Sequence, residues 1–355
     1  MRHQTKKIWV GHVPVGGDAP ISVQSMTKTD TRDVAATVAQ IQELQQVGCE
    51  IIRSAVPDMQ AAQSLGAIKR NIDIPLVADI HFDYRLALAA IREGVDAIRL
   101  NPGNIGSEDR VKALIDAAGE RNIPIRIGVN GGSLEKDLLH KYGSPMPEAM
   151  VESALRHVEL LERFGFTNMK ISLKASDVPR TVAAYRLIAK KVEYPLHIGV
   201  TEAGTVNTGT VKSAVGLGIL LADGIGDTLR VSLTGSPVEE VRVGYDILKA
   251  LDLRQRGPII TSCPTCGRTE VDLVTLAAQV ERRLAHLTYP LRVAVMGCVV
   301  NGPGEAKEAD IGIAAGKQNG LIFKQGETLG KFSEDELLDV LCREAEYVAA
   351  VLESR

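Results

Sequence analysis

The chain has 355 residues, with 41 Lys and Arg against 44 Asp and Glu and a net charge of -3. Charges of both signs are scattered, which excludes the broad basic field of a nucleic-acid binder, and no apolar run approaches the roughly 18 residues a membrane span needs. The first residues hold no apolar stretch of signal-peptide length, so a soluble cytoplasmic protein is expected.

This length exceeds an ordinary domain of about 100–200 residues unless a large barrel fills most of it. An apolar fraction of 45% with only 4% aromatic residues and 33 glycines suits an α/β protein with cores of Val, Ile, Leu and Ala. The chain opens on K-K-I-W-V-G-H-V-P-V, which turns at Gly11 and predicts a small hairpin able to plug a barrel floor. From about residue 20 to residue 250, β-branched runs then alternate with longer amphipathic stretches. The strand candidates begin at Ile21, Ile51, Pro75, Ala97, Pro124, Asn168, Pro195 and Thr228. Helical patterns follow, as at Val34 to Val47, Ser107 to Glu120, Pro147 to Phe164 and Pro237 to Ala250. Strict alternation implies a parallel sheet, and eight units predict a closed (β/α)₈ TIM barrel over residues 1–252. An open doubly wound sheet is the alternative, yet no G-x-G-x-x-G follows the first strand.

Past Ala250, L-D-L-R-Q-R-G-P reads as a linker. Residues 253–355 then predict a smaller α+β domain. Its strands run into Cys263 and into Cys298, a third covers D-I-G-I-A-A, and a hairpin lies around Phe323 to Thr328. Helices are expected from about Glu270 to His286 and from Ser333 onward.

Two chemistries emerge from this layout. Side chains two apart on a strand share a face, and a barrel builds its site at the C-terminal strand ends. Arg99 with Asn101, Arg126 with Asn130, Lys170 with Ser172 and Lys174, and Arg230 with Ser232 have matching parity. Arg53, Asp79, His81, Thr201 and Glu202 join them from other strands. A single basic residue at a strand end is ordinarily a solvated rim group, but six cations from five strands repel one another unless a multiply charged anion compensates. A small phosphorylated substrate is therefore expected, with Arg suited to bidentate phosphate contacts. Asp79 and Glu202 are candidates for acid/base work or for plain pairing with arginine. His81 either orients a substrate or holds a loop, and His197 reads as a packed strand residue.

The second chemistry is thiolate. Cys263 and Cys266 lie in C-P-T-C-G-R and Cys298 in G-C-V-V-N-G-P-G-E, three ligands where a closed tetrahedral site wants four. A redox dithiol leaves Cys298 unexplained; a zinc site wants a second pair that does not occur near it; an iron–sulfur site remains open beside zinc. Glu305 is the nearest plausible fourth ligand. Cys49 and Cys342 sit in apolar surroundings and read as core filler.

Over essentially its whole length the sequence resembles the 4-hydroxy-3-methylbut-2-enyl diphosphate synthase family in its bacterial two-domain form. The resemblance is carried by V-Q-S-M-T-K-T-D-T-R-D, V-A-D-I-H-F, I-R-L-N-P-G-N-I-G, R-I-G-V-N-G-G-S-L, K-I-S-L-K-A-S-D, G-V-T-E-A-G, C-P-T-C-G-R and the run from Gly297 to Glu305. It implies a TIM barrel joined to a cluster domain similar to those of sulfite reductases, with one [4Fe-4S] cluster on Cys263, Cys266, Cys298 and Glu305. It also implies a homodimer in which one subunit's cluster domain closes the other's barrel, and flavodoxin or ferredoxin as electron donor. The implied reaction is reductive ring opening and dehydration of 2-C-methyl-D-erythritol 2,4-cyclodiphosphate in the methylerythritol phosphate route to isoprenoids, with the substrate oxygen meeting the cluster's unique iron. Arg53, Arg99, Arg126, Lys174, Arg230 and Ser232 would hold the diphosphate. Glu202 is the candidate proton donor, and Asp79, His81, Asn101, Asn130 and Thr201 would surround the substrate. The competing reading is a phosphosugar aldolase or pterin-type transferase barrel, with Lys170 or Lys174 as Schiff base and a structural zinc domain.

Overall fold

The computed structural model describes residues 2–101, 105–298, 300 and 302–354. The chain divides into two compact units, Met1–Arg254 and Gln255–Arg355, each with its own apolar core.

In the first unit β1 (Ile8–Val10) and β2 (Val13–Val15) form an antiparallel hairpin. Gly11 makes its tight turn at φ +57, and a Cβ there would sit 2.9 Å from Asp96 Oδ1. Eight parallel strands follow: β3 (Ser22–Met26), β4 (Ile51–Ala55), β5 (Leu76–Asp79), β6 (Ala97–Leu100), β7 (Ile125–Asn130), β8 (Met169–Lys174), β9 (His197–Ile198) and β10 (Thr228–Leu229). Their order is β8-β7-β6-β5-β4-β3-β10-β9, and the Ile171 to Leu196 bridge closes the ring.

The helices outside the ring begin where the strand-end loops hand over to them, and aspartates cap several. Asp33, Asp58 and Asp177 accept from the amides of Ala36, Ala61 and Arg180 at 2.9–3.0 Å. Each cap satisfies an orphan helix donor and is worth about 1 kcal/mol. The helix faces turned inward carry the residues that the 3.6-residue period places there, such as Leu114, Ile115 and Ala118 of Glu108–Glu120.

Register determines what fills the ring. Partners in adjacent parallel strands point to the same face. Met26 pairs with Arg53, Arg53 with Val77, Asp79 with Arg99, Arg99 with Arg126, Arg126 with Lys170 and Asn130 with Lys174. At the strand starts the inward set is apolar, and Ile8, Val10 and Val15 of the hairpin pack there on Ile51, Val77 and Ala97. The hairpin thus plugs the floor, and the interior turns polar toward the mouth.

The expected linker is partly anchored to the barrel. Arg254 donates to the Ile21 carbonyl at 2.9 Å and pairs with Glu50 at 2.7 Å, which ties residue 254 to the starts of β3 and β4.

The second unit is a five-stranded sheet of β11 (Ile259–Ser262), β12 (Arg292–Met296), β13 (Ile311–Gly316), β14 (Asn319–Lys324) and β15 (Glu327–Ser333), with β11 to β13 parallel and the rest antiparallel. Helices Leu273–Leu284 and Glu334–Glu353 supply the apolar cover, with Cys342 fully buried among them. One element was not expected: Gly302–Glu308 is a helix, where N-G-P-G reads as a turn. Small residues allow it to lie close on the sheet. A Cβ on Gly302 would be 3.1 Å from Met296, and one on Gly312 would be 2.7 Å from the Ala306 carbonyl oxygen.

Candidate active site

The barrel interior is organised around one carboxylate. Asp79, at the end of β5, is 3% exposed and lies 3.1 Å from Arg99, 3.5 Å from Arg53 and 3.7 Å from His81. Burial alone would push its pKa up, but Arg53, the nearby His81 and Arg99 outweigh it and hold the carboxyl well below the usual range. Asp79 is therefore ionised near neutrality, and it fixes two guanidiniums side by side. Arg99 has room because β7 carries glycine beside it: a Cβ on Gly128 would lie 2.5 Å from Arg99 Nε.

Around this anchor the cations outnumber their acids. Arg126 is buried, and its Nε and Nη1 have no hydrogen-bond partner among the described residues. Lys170 is buried with its Nζ likewise unpartnered. Lys174 lies 3.3 Å from His197 Nε2, so the strand histidine faces the interior rather than serving only as packing. Burial, then neighbouring cations, depress both groups well below their ordinary pKa values. A second glycine makes the space, since a Cβ on Gly199 would come 2.7 Å from Lys174 Nζ.

Arg230 is positioned by a residue the strand pattern does not reveal. Glu240, buried in helix Pro237–Ala250, lies 3.3 Å from Arg230, accepts from the Leu233 amide at 3.0 Å and meets Lys28 at 3.1 Å. In sequence, P-V-E-E-V-R reads as a solvated helix start with charges favourable to its dipole. Only the apolar period, which puts Glu240 beside buried Val241 and Gly244, marks it as inward-facing.

The remaining candidates lie toward the rim. Ile80, His81, Phe82, Arg99, Asn101, Gly128, Asn130 and Ser133 line a pocket of about 220 Å³. Thr201 and Ser232 are half-buried after β9 and β10, and Glu202 is exposed with a left-handed φ of +52. The structure thus brings Arg53, Asp79, His81 and Arg99 into contact and seats Asn101 and Asn130 in the same pocket as His81 and Arg99. Lys174 ends β8 and Arg230 follows β10, the two strands that flank β9 in the same interior.

The thiols occupy one edge of the second unit. Ser262 is in register with Val295, so Cys263 and Cys298 emerge from the same ends of adjacent strands. The turn between them is stitched down: Cys266 N donates to Thr269 Oγ1 at 3.0 Å, Thr269 N to the Cys266 carbonyl at 2.9 Å, and Glu270 N to the Gly297 carbonyl at 3.2 Å. The Arg268 guanidinium lowers the pKa of the exposed Cys266 thiol, and its charge also reaches Cys298. Glu305 is exposed in the first turn of Gly302–Glu308. Among the described residues no three His, Cys, Asp or Glu side chains are close enough to share one metal ion. Ligands of a multi-iron cluster each take a different iron and stand further apart, so soft thiols at the ends of adjacent strands fit such a group.

Comparison with known proteins then supplies the lineage. The GcpE TIM-barrel domain matches residues 5–245 and the GcpE protein C-terminal domain matches residues 259–347. A Geobacter sulfurreducens relative named 4-hydroxy-3-methylbut-2-en-1-yl diphosphate synthase (flavodoxin) is 64% identical over 99% of both chains. A relative of the same name from Caldanaerobacter subterraneus is 60% identical over 98% of both. Among solved structures, dihydropteroate synthase from Stenotrophomonas maltophilia covers 70% of this chain and 97% of its own, with a TM-score of 0.51 and 14% identity, a likeness of barrel fold alone. The relatives' names do not favour the aldolase or pterin-transferase reading. Matched in both units and along nearly its full length, the chain belongs to the GcpE family of 4-hydroxy-3-methylbut-2-en-1-yl diphosphate synthases.

Proposed function

We propose that the chain converts 2-C-methyl-D-erythritol 2,4-cyclodiphosphate to 4-hydroxy-3-methylbut-2-enyl diphosphate, the step for which its 64%-identical relative is named. One ring C–O bond breaks, two electrons enter, and one oxygen leaves as water. The observation that carries this reading is the barrel interior, where Arg53, Arg99, Arg126, Lys170, Lys174 and Arg230 meet few acids among the described residues. An excess of buried cations has its natural complement in a diphosphate.

Arg53 and Arg99, held in place by Asp79, and Arg230, held by Glu240, would grip phosphate oxygens, with Arg126 and Lys174 beside them and Ser232 donating a hydroxyl. Asp79 serves as their anchor and not as a proton donor, because it stays ionised. Asn101, Asn130, His81 and Thr201 would orient the carbon skeleton at the mouth. Glu202, exposed at the rim, would deliver the proton to the departing hydroxyl. Cys263, Cys266, Cys298 and Glu305 would hold a [4Fe-4S] cluster, which when bound supplies single electrons from flavodoxin.

Two observations support a homodimer with a shared active site. Arg254 pins the end of the first unit at the barrel floor, opposite the mouth. Helix Val206–Ala222 also exposes Val211, Val215 and Ile219, an apolar stripe at helical spacing that a second copy would cover. The test is anaerobic turnover of the cyclodiphosphate with reduced flavodoxin and iron and sulfide analysis. About four of each per chain with product formation is expected; a colourless zinc protein without turnover would sink the reading. Mixing a Cys298→Ser chain with a Glu202→Gln chain should restore activity if the site is shared, and two inactive partners that stay inactive would refute sharing.

A further inference from the structure

Lys170 is a buried lysine with no acid committed to it among the described residues. It sits on β8 in register with Arg126, is 1% exposed, and its Nζ has no hydrogen-bond partner among the described residues. The charged and titratable groups facing it are Arg126 from β7, Arg53 from β4, His197 from β9 and Asp227 just before β10. Asp227 is already engaged, with Oδ1 at 2.9 Å from Arg2 and 3.0 Å from Thr5 Oγ1, and Oδ2 accepting from the Leu196 amide at 2.8 Å.

An ammonium in that position gives up its hydration and is repelled by two guanidiniums, which unlike an amine cannot shed their charge. The neutral amine is the form that costs least. Burial first, then Arg126 and Arg53, bring the lysine down to about 7, with Asp227 opposing weakly. A diphosphate lodged among Arg53, Arg99 and Arg126 reverses the local potential. One negative charge about 5 Å away, at an effective dielectric near 20, raises a lysine by about two pH units.

We propose that Lys170 is a positioning residue that takes up one proton from solvent when the diphosphate binds, neutral in the empty barrel and charged in the loaded one. The inference rests on the reading of the mouth as a diphosphate site and adds a linkage to it. Such a residue spares the empty barrel one like charge, then supplies that charge once an anion is present. The loaded lysine has the higher pKa, so affinity is greatest below about pH 7 and falls as pH rises through the window up to the loaded value.

The experiment is calorimetric titration of the anaerobically purified full-length holoenzyme with inorganic pyrophosphate at about pH 8, in two buffers of different ionisation enthalpy. Wild type, Lys170→Met and Lys170→Arg are compared, so the ligand's own protonation cancels. Wild type should take up about one proton more per pyrophosphate than either variant, and its affinity should fall up to about tenfold per pH unit above pH 7 relative to Lys170→Arg. Equal proton uptake in wild type and a folded variant overturns the proposal while leaving the diphosphate mouth intact. Absence of pyrophosphate binding by wild type overturns the mouth and the linkage together. If both variants fail to fold, the wild-type pH profile decides alone: affinity that does not weaken between about pH 7 and pH 9, after correction for pyrophosphate ionisation, overturns the proposal.

Discussion

The barrel interior and the thiol-bearing edge of the second unit are both built at the C-terminal ends of parallel strands, yet they reach readiness by opposite routes. In the barrel, cation after cation is locked by strand register, with Asp79 and Glu240 already gripping Arg53, Arg99 and Arg230. At the edge, Cys266 is exposed on a turn held by a few hydrogen bonds, and Glu305 is exposed on a short helix. The barrel interior is held by its own side chains and bears the cost as charge repulsion; on the proposed reading the edge bears little cost and a cluster would finish it.

The largest effect should come from the edge, and it tests whether the two regions are independent. Cys298→Ser should lose the cluster and bring turnover below detection, while pyrophosphate affinity of the barrel changes less than about twofold. Iron analysis, turnover and calorimetry on one preparation measure all three. Loss of pyrophosphate binding in that variant would break the comparison, since the barrel would then depend on the edge.

Next comes the barrel itself. Arg126→Met removes a buried guanidinium with two unpartnered nitrogens, so the melting midpoint should hold or rise. Substrate handling should suffer, with kcat/KM falling about 10²- to 10³-fold, equivalent to about 3–4 kcal/mol. A variant that melts early and keeps its kcat/KM would show that Arg126 is a structural strut instead.

Parity along the strands made much of this site legible: Arg53, Arg99, Arg126, Lys170, Lys174 and Arg230 all have side chains on the inner face that their spacing assigns. The residues that hold those side chains were hidden. Glu240 lies on a helix, ten residues from the arginine it orients, and Gly128 and Gly199 matter for space that only the closed ring defines. The same limit applied at the edge, where N-G-P-G carries turn signals and the helix Gly302–Glu308 forms because small residues let it seat on β12 and β13. Local pattern reports which face a residue occupies; it does not report what occupies the volume opposite.

A smaller effect should follow from one hidden residue. Glu240→Gln keeps the shape but weakens the hold on Arg230, Lys28 and the Leu233 amide. A charge-assisted hydrogen bond is worth about 1.5–3 kcal/mol, and Arg230 is partly exposed, so a rise in KM of about tenfold with a smaller change in kcat is expected. An unchanged KM would mean that Arg230 is oriented by the strand alone.

The smallest effect concerns thiols, and it separates the regions without touching turnover. Cys49 is buried in the barrel core, where its Sγ donates to the Ile51 carbonyl at 3.2 Å and burial pushes its pKa up to about 12. At about pH 8 its thiolate fraction is on the order of 10⁻⁴, and alkylating reagents need the thiolate. Cys266 is exposed on its turn. Iodoacetamide applied to the native apo-protein should therefore modify Cys266 first and leave Cys49 untouched until the barrel unfolds, and loading the cluster should then protect Cys266. Peptide mapping over time reads both sites. Cys49→Ala should change turnover less than about twofold and lower stability by about 1 kcal/mol, the cost of a small core truncation. Labelling of Cys49 at a rate near that of Cys266 would show that the barrel opens as readily as the edge, and the contrast between a pre-organised interior and a ligand-completed edge would not stand.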